Sequence, residues 1–349
     1  MLPRGALVYE TQKVVQAGMN DFLHGMIERA SEDPKRIAFP EAGCVDILRT
    51  AAEVVKYGMG TPILVGNEET VDALCRENGV SSEGFEYFDN GDADRREELA
   101  QRYEDLGFGE YSHKAVARKC KDEVNCGMFL VKCGIADCCA AGKEYSTGDV
   151  VFSAMSFLGL AEGVESPSSL GIADIPGFEG PQGSMLALAD CAITAQPDST
   201  ELAGIAISSA DTVRTLLGWE PRVALLAFST KGSADHPTVD VVREAVDRVH
   251  ELRPDIKCDG ELQLDAAIIP AVAAHKVGGD SEVAGKANVL IFPNLHAGNI
   301  GVKLVQIFGH ANAYGPVLQG FSKPVCDFSR SAPVEEMLGN VAMLAIRAR

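Results

Sequence analysis

Three short polar segments of the sequence carry side chains that could bind an anion. They occupy residues 229–234, 294–299 and 326–331, and each stands between a predicted strand and a predicted helix. In an open parallel sheet, ligands bind beyond the carboxyl ends of the strands, where helix N-termini direct their N–H groups outward. We therefore expect binding residues in these turns rather than on a helix face.

A fourth polar segment, 142–149, precedes an amphipathic stretch that runs to Leu160. A glycine-containing turn at a helix start exposes several backbone N–H groups, which suits an anion. Alternatively, Ser146 or Thr147 is the N-cap of the helix, and its own side chain accepts those hydrogen bonds. The sequence leaves the two interpretations open.

Other residue types that often carry chemistry give weaker indications. Asp259, Glu261 and Asp265 could chelate a divalent cation, but a capped turn with a solvated face explains the same pattern more simply. Of the seven histidines, only His296 has a neighbourhood that suggests function. The GxSxG, Walker, HExxH and GxGxxG motifs are absent, which argues against standard hydrolases, NTPases, zinc proteases and dinucleotide-binding enzymes.

The ten cysteines do not form a metal-binding pattern. Five of them fall between residues 120 and 139 without a CxxC-like pair of ligands. We interpret them as reduced, packed thiols in a reducing compartment.

Composition excludes some partners. The net charge of −19 would repel nucleic acid, and no basic stripe offsets it. No apolar run approaches the ~18–20 residues that span a bilayer, and the N-terminus lacks a signal pattern. We therefore expect a cytoplasmic protein that binds neither nucleic acid nor membrane, and that holds any phosphate with local donors.

The chain length and the order of elements predict an α/β protein with two domains. A length of 349 residues exceeds the ~250–300 residues at which single cores stop growing. Residues 1–20 give no clear element. Strands are predicted at 36–40, 61–66, 186–194, 222–228 and 288–292, and helices at 21–31, 45–57, 94–106, 113–125, 199–218, 239–252, 266–275 and 300–308, with a last helix ending near residue 347.

The segment 163–184 is rich in Ser, Gly and Pro, which is typical of a domain junction. We predict that residues 1–160 form domain I, completed by residues 316–349. Residues 161–315 then form domain II.

Several stretches, in this order and spacing, resemble the phosphate acetyltransferase and phosphate butyryltransferase family. The similarity covers nearly the whole chain beyond residue 20 and is most specific from residue 200 onward. The stretches that carry it are STGD at 146–149, IAISSA at 205–210, EPRVAL at 220–225, FSTKGSA at 228–234, DGELQLDAA at 259–267, AGKANVLIFP at 284–293, GNIGVKLVQ at 298–306, GPVLQG at 315–320 and KPVCDFSR at 323–330.

This resemblance implies a fold and a reaction. The fold is that of the isocitrate and isopropylmalate dehydrogenases, in which two α/β domains surround a cleft, and members are usually dimeric. The reaction is reversible transfer of a short acyl group, most simply acetyl, between coenzyme A and inorganic phosphate. Coenzyme A is then a substrate, and the resemblance implies neither a cofactor nor a metal.

The resemblance also implies three catalytic roles. Arg330 holds the phosphate, Ser329 stabilises the developing oxyanion, and Glu336 takes the thiol proton. These roles suit the residue types, because a guanidinium can hold two phosphate oxygens and a hydroxyl aimed at developing charge lowers the barrier. We expect the substrate-binding residues to be Ser146, Thr147, Gly148, Ser229, Thr230, Lys231, Gly298, Asn299, Lys303 and Gln319.

The sequence departs from the family pattern at several positions. Glu336 stands where the family usually has Asp, and misplacing a catalytic group by ~1 Å can cost ~100-fold in rate. Arginines that are common in the family are replaced by Asp46, Leu106, Phe152 and Ile307. Coenzyme A would then be held differently, through Lys143, Lys231 or Lys303.

Two alternatives follow from these departures and from the fold. One is a catalytically weak paralogue that binds a phosphorylated metabolite or a partner. The other is a metal-dependent decarboxylating dehydrogenase, because that class shares the fold, with Asp259, Glu261 and Asp265 as its only supporting residues.

Overall fold

The computed structural model describes residues 21–162 and 164–348. The elements of the first half are α1 (Asp21–Ser31), β1 (Lys35–Phe39), α2 (Val45–Lys56), β2 (Gly60–Val65), α3 (Glu68–Glu77), β3 (Glu86–Phe88), α4 (Ala93–Asp105), α5 (His113–Lys119), α6 (Glu123–Lys132), β4 (Cys138–Ala141) and α7 (Thr147–Phe157). Those of the second half are β5 (Ser168–Asp174), β6 (Met185–Ala189), α8 (Ser199–Leu217), β7 (Arg222–Leu226), α9 (Pro237–Leu252), β8 (Lys257–Leu262), α10 (Leu264–Ile268), α11 (Pro270–Lys276), β9 (Val289–Ile291), α12 (Leu295–Phe308), β10 (Asn312–Gln319), β11 (Val325–Asp327) and α13 (Val334–Arg347).

The first sheet has five parallel strands in the order β11-β4-β1-β2-β3. Because β1, β4 and β11 are neighbours, the loops that follow their carboxyl ends meet at one edge of the sheet. Those loops begin with Pro40, with Gly142 and with Phe328. Residues far apart in sequence are thereby brought to one site.

The second sheet has six strands in the order β10-β5-β6-β9-β7-β8. The pairs from β6 to β8 are parallel, whereas β10, β5 and β6 pair antiparallel. The chain reaches this sheet after α7 and leaves it after β10, so that β11 and α13 complete the first sheet. The residue bounds given above for the two domains stay a prediction.

Helix α13 connects the two halves of the core. Its residues 337–346 are all buried, and it packs against α1 and α2 on one side and against α8 and β10 on the other. A helix buried on all sides has little freedom to rotate or slide. It therefore holds its first turn, which carries Glu336, in a fixed position.

Several predicted elements differ from the structure. The helix predicted at 113–125 is two helices, because the side chain of Asp122 accepts a hydrogen bond from the N–H of Asn125 and starts α6. The helix predicted at 266–275 is interrupted at Pro270, which lacks the N–H that would continue α10.

Two further differences concern strands of the second sheet. The predicted junction at 163–184 contains β5, which is stabilised by ladders to β10 and β6 on both sides despite its serines and glycine. The strand predicted at 186–194 ends at Ala189, because the Asp190 carboxylate accepts hydrogen bonds from the N–H groups of Ala192, Ile193 and Thr194 and turns the chain. The absence of any predicted element in residues 1–20 concerns a segment outside the described residues.

The cysteines are unpaired and packed, as predicted. All ten are free thiols, and nine are buried. Cys138 and Cys139 belong to β4 in the interior of the first sheet, where both faces are covered. Within the part of the chain that the structure describes, no helix is long and apolar enough to cross a bilayer.

Candidate active site

Ser329 and Arg330 lie in the loop between β11 and α13, and both are exposed. The Ser329 hydroxyl is 3.1 Å from that of Ser331. The Arg330 guanidinium forms no hydrogen bond or ion pair with another described residue, although it is close enough to Asp327 to lower the pKa of that carboxyl. The guanidinium is therefore free to bind an anion from solution.

Glu336 lies on the first turn of α13, at the wall of a cleft of about 470 Å³. Partial removal from water raises the pKa of Glu336, and Lys143 opposes this effect. The Lys143 ammonium donates to the carbonyl of Ala332 at 2.7 Å and pairs with Asp46 at 3.2 Å. Lys143 thus ties the loop after β4 to the loop that carries Ser329 and Arg330.

The opposite wall of this cleft is helix α12. Asn299 and Lys303, one turn apart, line it together with Glu336. Asn299 also donates to the carbonyl of Cys191 at 3.1 Å and so fixes the loop after β6. Gly298 is needed for packing, because a Cβ there would lie 2.0 Å from the carbonyl oxygen of Asp190. Three of the predicted site residues therefore face one another across the cleft.

The loop after β4 is organised by the buried carboxylate of Glu41. It accepts hydrogen bonds from the backbone N–H groups of residues 142–145 at 2.6–3.1 Å. The anion that these four N–H groups bind is therefore a residue of the protein, and the interpretation that they receive a ligand is wrong. Ser146 is the N-cap of α7 and forms a capping box with Asp149.

The start of α7 nevertheless faces the Ser329–Arg330 loop. The Thr147 hydroxyl donates to Asp327 Oδ2 at 2.6 Å. The N–H groups of Thr147 and Gly148, at the first two helical positions, have no acceptor among the described residues. Such N–H groups at a helix N-terminus favour negative charge.

Asp327 is a site residue that the sequence analysis assigned no role. It is the last residue of β11 and is 4% exposed, and its Oδ1 has no hydrogen-bond partner among the described residues. Burial raises the pKa of Asp327 to about 6, with Glu41 adding to the effect and Thr147 and Arg330 opposing it. The only sequence signal is its position, three residues before Arg330 at a strand end.

The 229–234 turn binds Glu261 rather than facing the cleft. Ser229 and the N–H of Gly232 donate to Glu261 Oε1 at 2.9 and 2.7 Å, and Arg243 donates to the same carboxylate at 3.0 Å. Burial would raise the pKa of Glu261, but these hydrogen bonds outweigh it and lower the pKa to about 2. Ser229 and Thr230 are buried, and Lys231 donates to Asp259 and to the carbonyl of Gly260.

Gln319 is also outside the cleft. It is 1% exposed, and its Nε2 donates to the hydroxyls of Ser168 and Ser209 at 3.0 and 2.8 Å. Its predicted contact with substrate conflicts with this burial, and the residue instead joins β10 to β5 and α8. The pattern of sequence similarity could not distinguish a packing amide from a binding one.

The carboxylates considered for a metal are paired with cations. Asp259 pairs with Lys231, Glu261 with Arg243 and Asp265 with Lys276. Among the described residues, no group of three or more His, Cys, Asp or Glu side chains could hold a metal ion. His296 is exposed on the first turn of α12. The metal-dependent dehydrogenase alternative thus loses its supporting residues.

The four residues at expected arginine positions differ in their surroundings. Asp46 pairs with Lys143. Leu106, Phe152 and Ile307 are 50%, 71% and 64% exposed. Exposed apolar side chains at these positions gain nothing from core packing.

The comparisons with known proteins agree with the fold and the sequence. The family profile described as phosphate acetyl/butaryl transferase matches residues 21–346. The phosphate acetyltransferase of Thermoanaerobacterium thermosaccharolyticum is 39% identical over 328 residues, which are 94% of this chain and 99% of that protein. The phosphate acetyltransferase of Bacillus subtilis is 36% identical over 330 residues, covering 95% and 100%.

Solved structures extend the similarity to three dimensions. The EutD phosphotransacetylase from Staphylococcus aureus superposes with a TM-score of 0.85 at 34% identity, over 95% of this chain and 99% of that one. A structure described as a 4-hydroxythreonine-4-phosphate dehydrogenase from Salmonella typhimurium, at 10% identity and a TM-score of 0.53 over 90% and 99%, shares the fold alone. The dehydrogenase-like α/β fold expected above is thus confirmed, and the chain belongs to the phosphate acetyl/butyryl transferase family.

Proposed function

We propose that this protein is a phosphate acyltransferase that moves a short acyl group, acetyl in the first instance, reversibly between coenzyme A and inorganic phosphate. Its membership of the family supports the reaction, and relatives named phosphate acetyltransferase support the acetyl group. The observation that carries the proposal is the Arg330 guanidinium, which has no hydrogen-bond or ion-pair partner among the described residues. It lies beside Ser329 on a loop that leads directly to Glu336 in the cleft.

In the proposed mechanism, Glu336 accepts the proton of the coenzyme A thiol. The thiolate attacks the carbonyl carbon of the acyl phosphate, a C–S bond forms, and the C–O bond to phosphate breaks. Arg330 holds the phosphate as it gains charge, and the Ser329 hydroxyl donates to the carbonyl oxygen while it is an oxyanion. The proton on Glu336 then passes to water or to the released phosphate.

The surroundings of Glu336 suit a base for this thiol. A carboxylate of ordinary pKa is a weak base for a thiol of pKa ~8.5. The raised pKa of Glu336 brings the pKa of the base closer to that of the thiol. Lys143 lies close enough to oppose this rise.

The binding of substrates rests on donors from both walls of the cleft. Lys303 and Asn299 from α12 are candidates for the coenzyme A phosphates and amides. The free N–H groups of Thr147 and Gly148 are candidates for the phosphate that Arg330 holds. No cofactor is required, because coenzyme A enters as a substrate, and the reaction suits the cytoplasm, where coenzyme A thioesters are made and used.

A second candidate function is a weak paralogue that binds the acyl phosphate without turning it over efficiently. The exposed apolar side chains of Leu106, Phe152 and Ile307 favour it, because each replaces a possible charged contact to a phosphate. Two lost charge-assisted contacts of ~1.5–3 kcal/mol would weaken affinity by roughly a hundredfold or more. Titration calorimetry distinguishes the two, since the paralogue should bind acetyl phosphate but not coenzyme A.

We propose further that the protein acts as a homodimer. Helix α12 exposes four large apolar side chains, and they lie on one face because they are spaced by three or four residues or are adjacent. They are Ile300, Leu304, Ile307 and Phe308. Apolar patches of this kind are rarely left in water by a monomer. A second copy of the chain is the proposed partner, as the resemblance implies.

A thiol-consumption assay tests the function directly. The purified chain is mixed with coenzyme A and with acetyl, propionyl or butyryl phosphate, and loss of free thiol is followed together with formation of the thioester. We expect turnover with acetyl phosphate. A folded protein with no turnover on any of the three acyl phosphates would rule out the leading proposal.

A further inference from the structure

A second cavity, here called the hinge cavity, lies away from the cleft and has a volume of about 790 Å³. It opens where the chain crosses twice between the two sheets. The two crossings are held together by an antiparallel bridge between Leu160 and Phe321 and by a hydrogen bond of 3.0 Å from the N–H of Ser322 to the carbonyl of Gly159. Both crossings line the cavity, together with residues from the helices and loops that flank each of the two sheets.

The connectivity places this cavity at the amino ends of the strands. Its wall includes Asp137 immediately before β4, Pro324 immediately before β11, and Arg253 between α9 and β8. Ser329 and Arg330 follow the carboxyl end of β11 instead. The hinge cavity therefore opens on the opposite side of the sheets and is not part of the active site.

Arg347, on the last turn of α13, contributes a cation without a counter-ion to this wall. Its Nη1 donates to the carbonyl of Leu318 at 2.5 Å, and no carboxylate among the described residues pairs with it. Burial lowers the pKa of Arg347 to about 10. A partly buried guanidinium is costly unless its charge and its remaining donors are satisfied.

Lys323 is a second cation of the hinge cavity without an ion pair among the described residues. It is exposed and lies in the crossing that precedes β11. By contrast, Arg253 in the same wall is paired with Asp211 at 2.8 Å and with Asp255 at 2.8 Å. Among the cations of this wall, Arg347 and Lys323 are therefore the two without a carboxylate partner among the described residues, and the carboxylates of Asp137 and Glu162 also line the cavity.

We propose that the hinge cavity binds a small organic or inorganic anion through a carboxylate or phosphate group held by Arg347 and Lys323. The volume is within the range of small-molecule sites. A guanidinium fork and an ammonium together match the oxygens of such a group, and Ser208 of α8, which also lines the cavity, can add a hydroxyl. The ligand would contact both crossings and the elements that flank each of the two sheets. Its binding would therefore restrict the motion of one half of the molecule relative to the other.

Titration calorimetry on the full chain tests the proposal, with citrate as the carboxylate probe and inorganic phosphate as the phosphate probe. Because phosphate is also the proposed substrate, its titration uses the Arg330→Ala protein, in which the active site has lost its phosphate contact. We expect at least one probe to bind with a Kd below about 1 mM. Binding should weaken at least about tenfold, ~1.4 kcal/mol, in Arg347→Gln and in Lys323→Ala.

The two variants serve different purposes. Arg347→Gln removes a partly buried cation, and this change can also impair folding. Lys323 is exposed and makes no ion pair with a described residue, so Lys323→Ala should fold normally. The result with Lys323→Ala therefore decides the proposal even where Arg347→Gln does not fold. Lys121→Ala, an exposed change elsewhere on the surface, is the matched control and should leave the affinity unchanged. Absence of binding by both probes, or a change of less than about threefold in Lys323→Ala, overturns the proposal.

Hydrogen exchange locates the bound anion. Citrate or phosphate should protect the crossing at 320–324 and helix α8, and this protection should disappear in Lys323→Ala. Protection confined to residues 142–149 and 329–336 would instead assign the anion to the active site and refute the hinge site. Neither measurement depends on turnover, so failure of the hinge site and failure of the acyltransferase proposal can be told apart.

Discussion

Asp327 and Arg330 are three residues apart, and the fold gives them opposite surroundings. Arg330 is exposed and unpaired among the described residues, whereas Asp327 is buried with one oxygen unbonded. A guanidinium without an internal partner is ready for a substrate. A buried carboxyl with a pKa near 6 is instead a group whose charge changes within the working pH range.

Replacing Arg330 by Ala should abolish turnover without unfolding the protein. Two charge-assisted hydrogen bonds to the phosphate, each worth ~1.5–3 kcal/mol, would be lost, so we expect kcat/KM to fall by at least about a hundredfold. The thermal midpoint should remain within a few degrees, because the side chain is exposed and makes no hydrogen bond or ion pair with another residue that the structure describes. Arg95→Ala, an exposed change on α4, is the control, and near-normal turnover in Arg330→Ala would contradict the assigned role.

Replacing Asp327 by Asn should change the pH dependence of stability. The pKa of Asp327 is about 6 in the folded protein against a usual 3.8, so its stabilising contribution is present at low pH and is lost as pH rises through 6. The variant does not titrate. We therefore expect the free energy of unfolding of the variant, relative to that of the wild type, to rise by up to ~3 kcal/mol from pH 4 to pH 8. Urea unfolding at each pH measures this difference.

The control for this series is Asp105→Asn, at the exposed end of α4. It measures what an exposed Asp-to-Asn change does to stability at the same pH values. A difference between Asp327→Asn and the wild type that does not vary with pH would mean that folding does not raise the pKa of Asp327. Asp327→Asn should also lose activity, because Asp327 orients Thr147 beside the loop that carries Ser329 and Arg330.

Phe152→Arg should improve the use of coenzyme A. Phe152 is 71% exposed on α7, so an arginine can replace it without disturbing the core. A new contact to a coenzyme A phosphate, weakened by solvent, should lower the KM for coenzyme A about three- to tenfold. Met155→Arg, one turn further along the same helix, tests whether added charge alone has this effect, and equal changes in both variants would argue against a specific contact.

At the scale of elements, the active-site edge depends on one buried side chain. Glu41 follows β1, and its carboxylate holds the N–H groups of residues 142–145, the loop that leads into α7. The donors of Thr147 and Gly148 are positioned only because this loop is fixed. Because strands β11, β4 and β1 are neighbours in the first sheet, Glu41, α7 and the Ser329–Arg330 loop lie close together.

Glu41→Gln should destabilise the loop at residues 142–145. The amide replaces one acceptor oxygen by an NH₂ group that faces two backbone donors, so buried N–H groups lose their partners at ~1–3 kcal/mol each. We expect a loss of about 2 kcal/mol or more in unfolding free energy at pH 7, with a parallel loss of activity. Glu53→Gln changes a partly exposed side chain of α2 that pairs with the exposed Lys56, and it should change stability by less than ~0.5 kcal/mol. An equally small effect at Glu41 would show that its hydrogen bonds to residues 142–145 are dispensable.

For the whole molecule, the apolar face of α12 predicts the assembly state. Leu304→Glu combined with Ile307→Glu places two charges on that face, which should prevent two copies from burying it. Light scattering should give about twice 37.1 kDa for the wild type and about 37.1 kDa for the double variant. Leu106→Glu, an equally exposed apolar position on the other half of the molecule, should leave the mass unchanged, and a monomeric wild type would refute the dimer.

Much of the architecture was predictable from local patterns. The alternation of strands and helices determined the α/β class, and the ordered motifs from residue 200 onward determined the family. The Ser329–Arg330 loop was recognisable as a polar turn after a strand, and the roles of its two residues followed from the resemblance to the family. These features depend on residues close together in sequence, where periodicity and motif spacing are informative.

Only the tertiary structure decided which polar residues face the cleft. Ser229, Thr230 and Gln319 carry the same side chains as binding residues, but they are buried and satisfy internal partners. The role of Glu41 depends on hydrogen bonds to a loop 101 residues away in sequence. The raised pKa of Asp327 comes from its burial in the folded chain. Burial and hydrogen-bond partners are set by the packing of strands that are distant along the chain, and no local pattern encodes them.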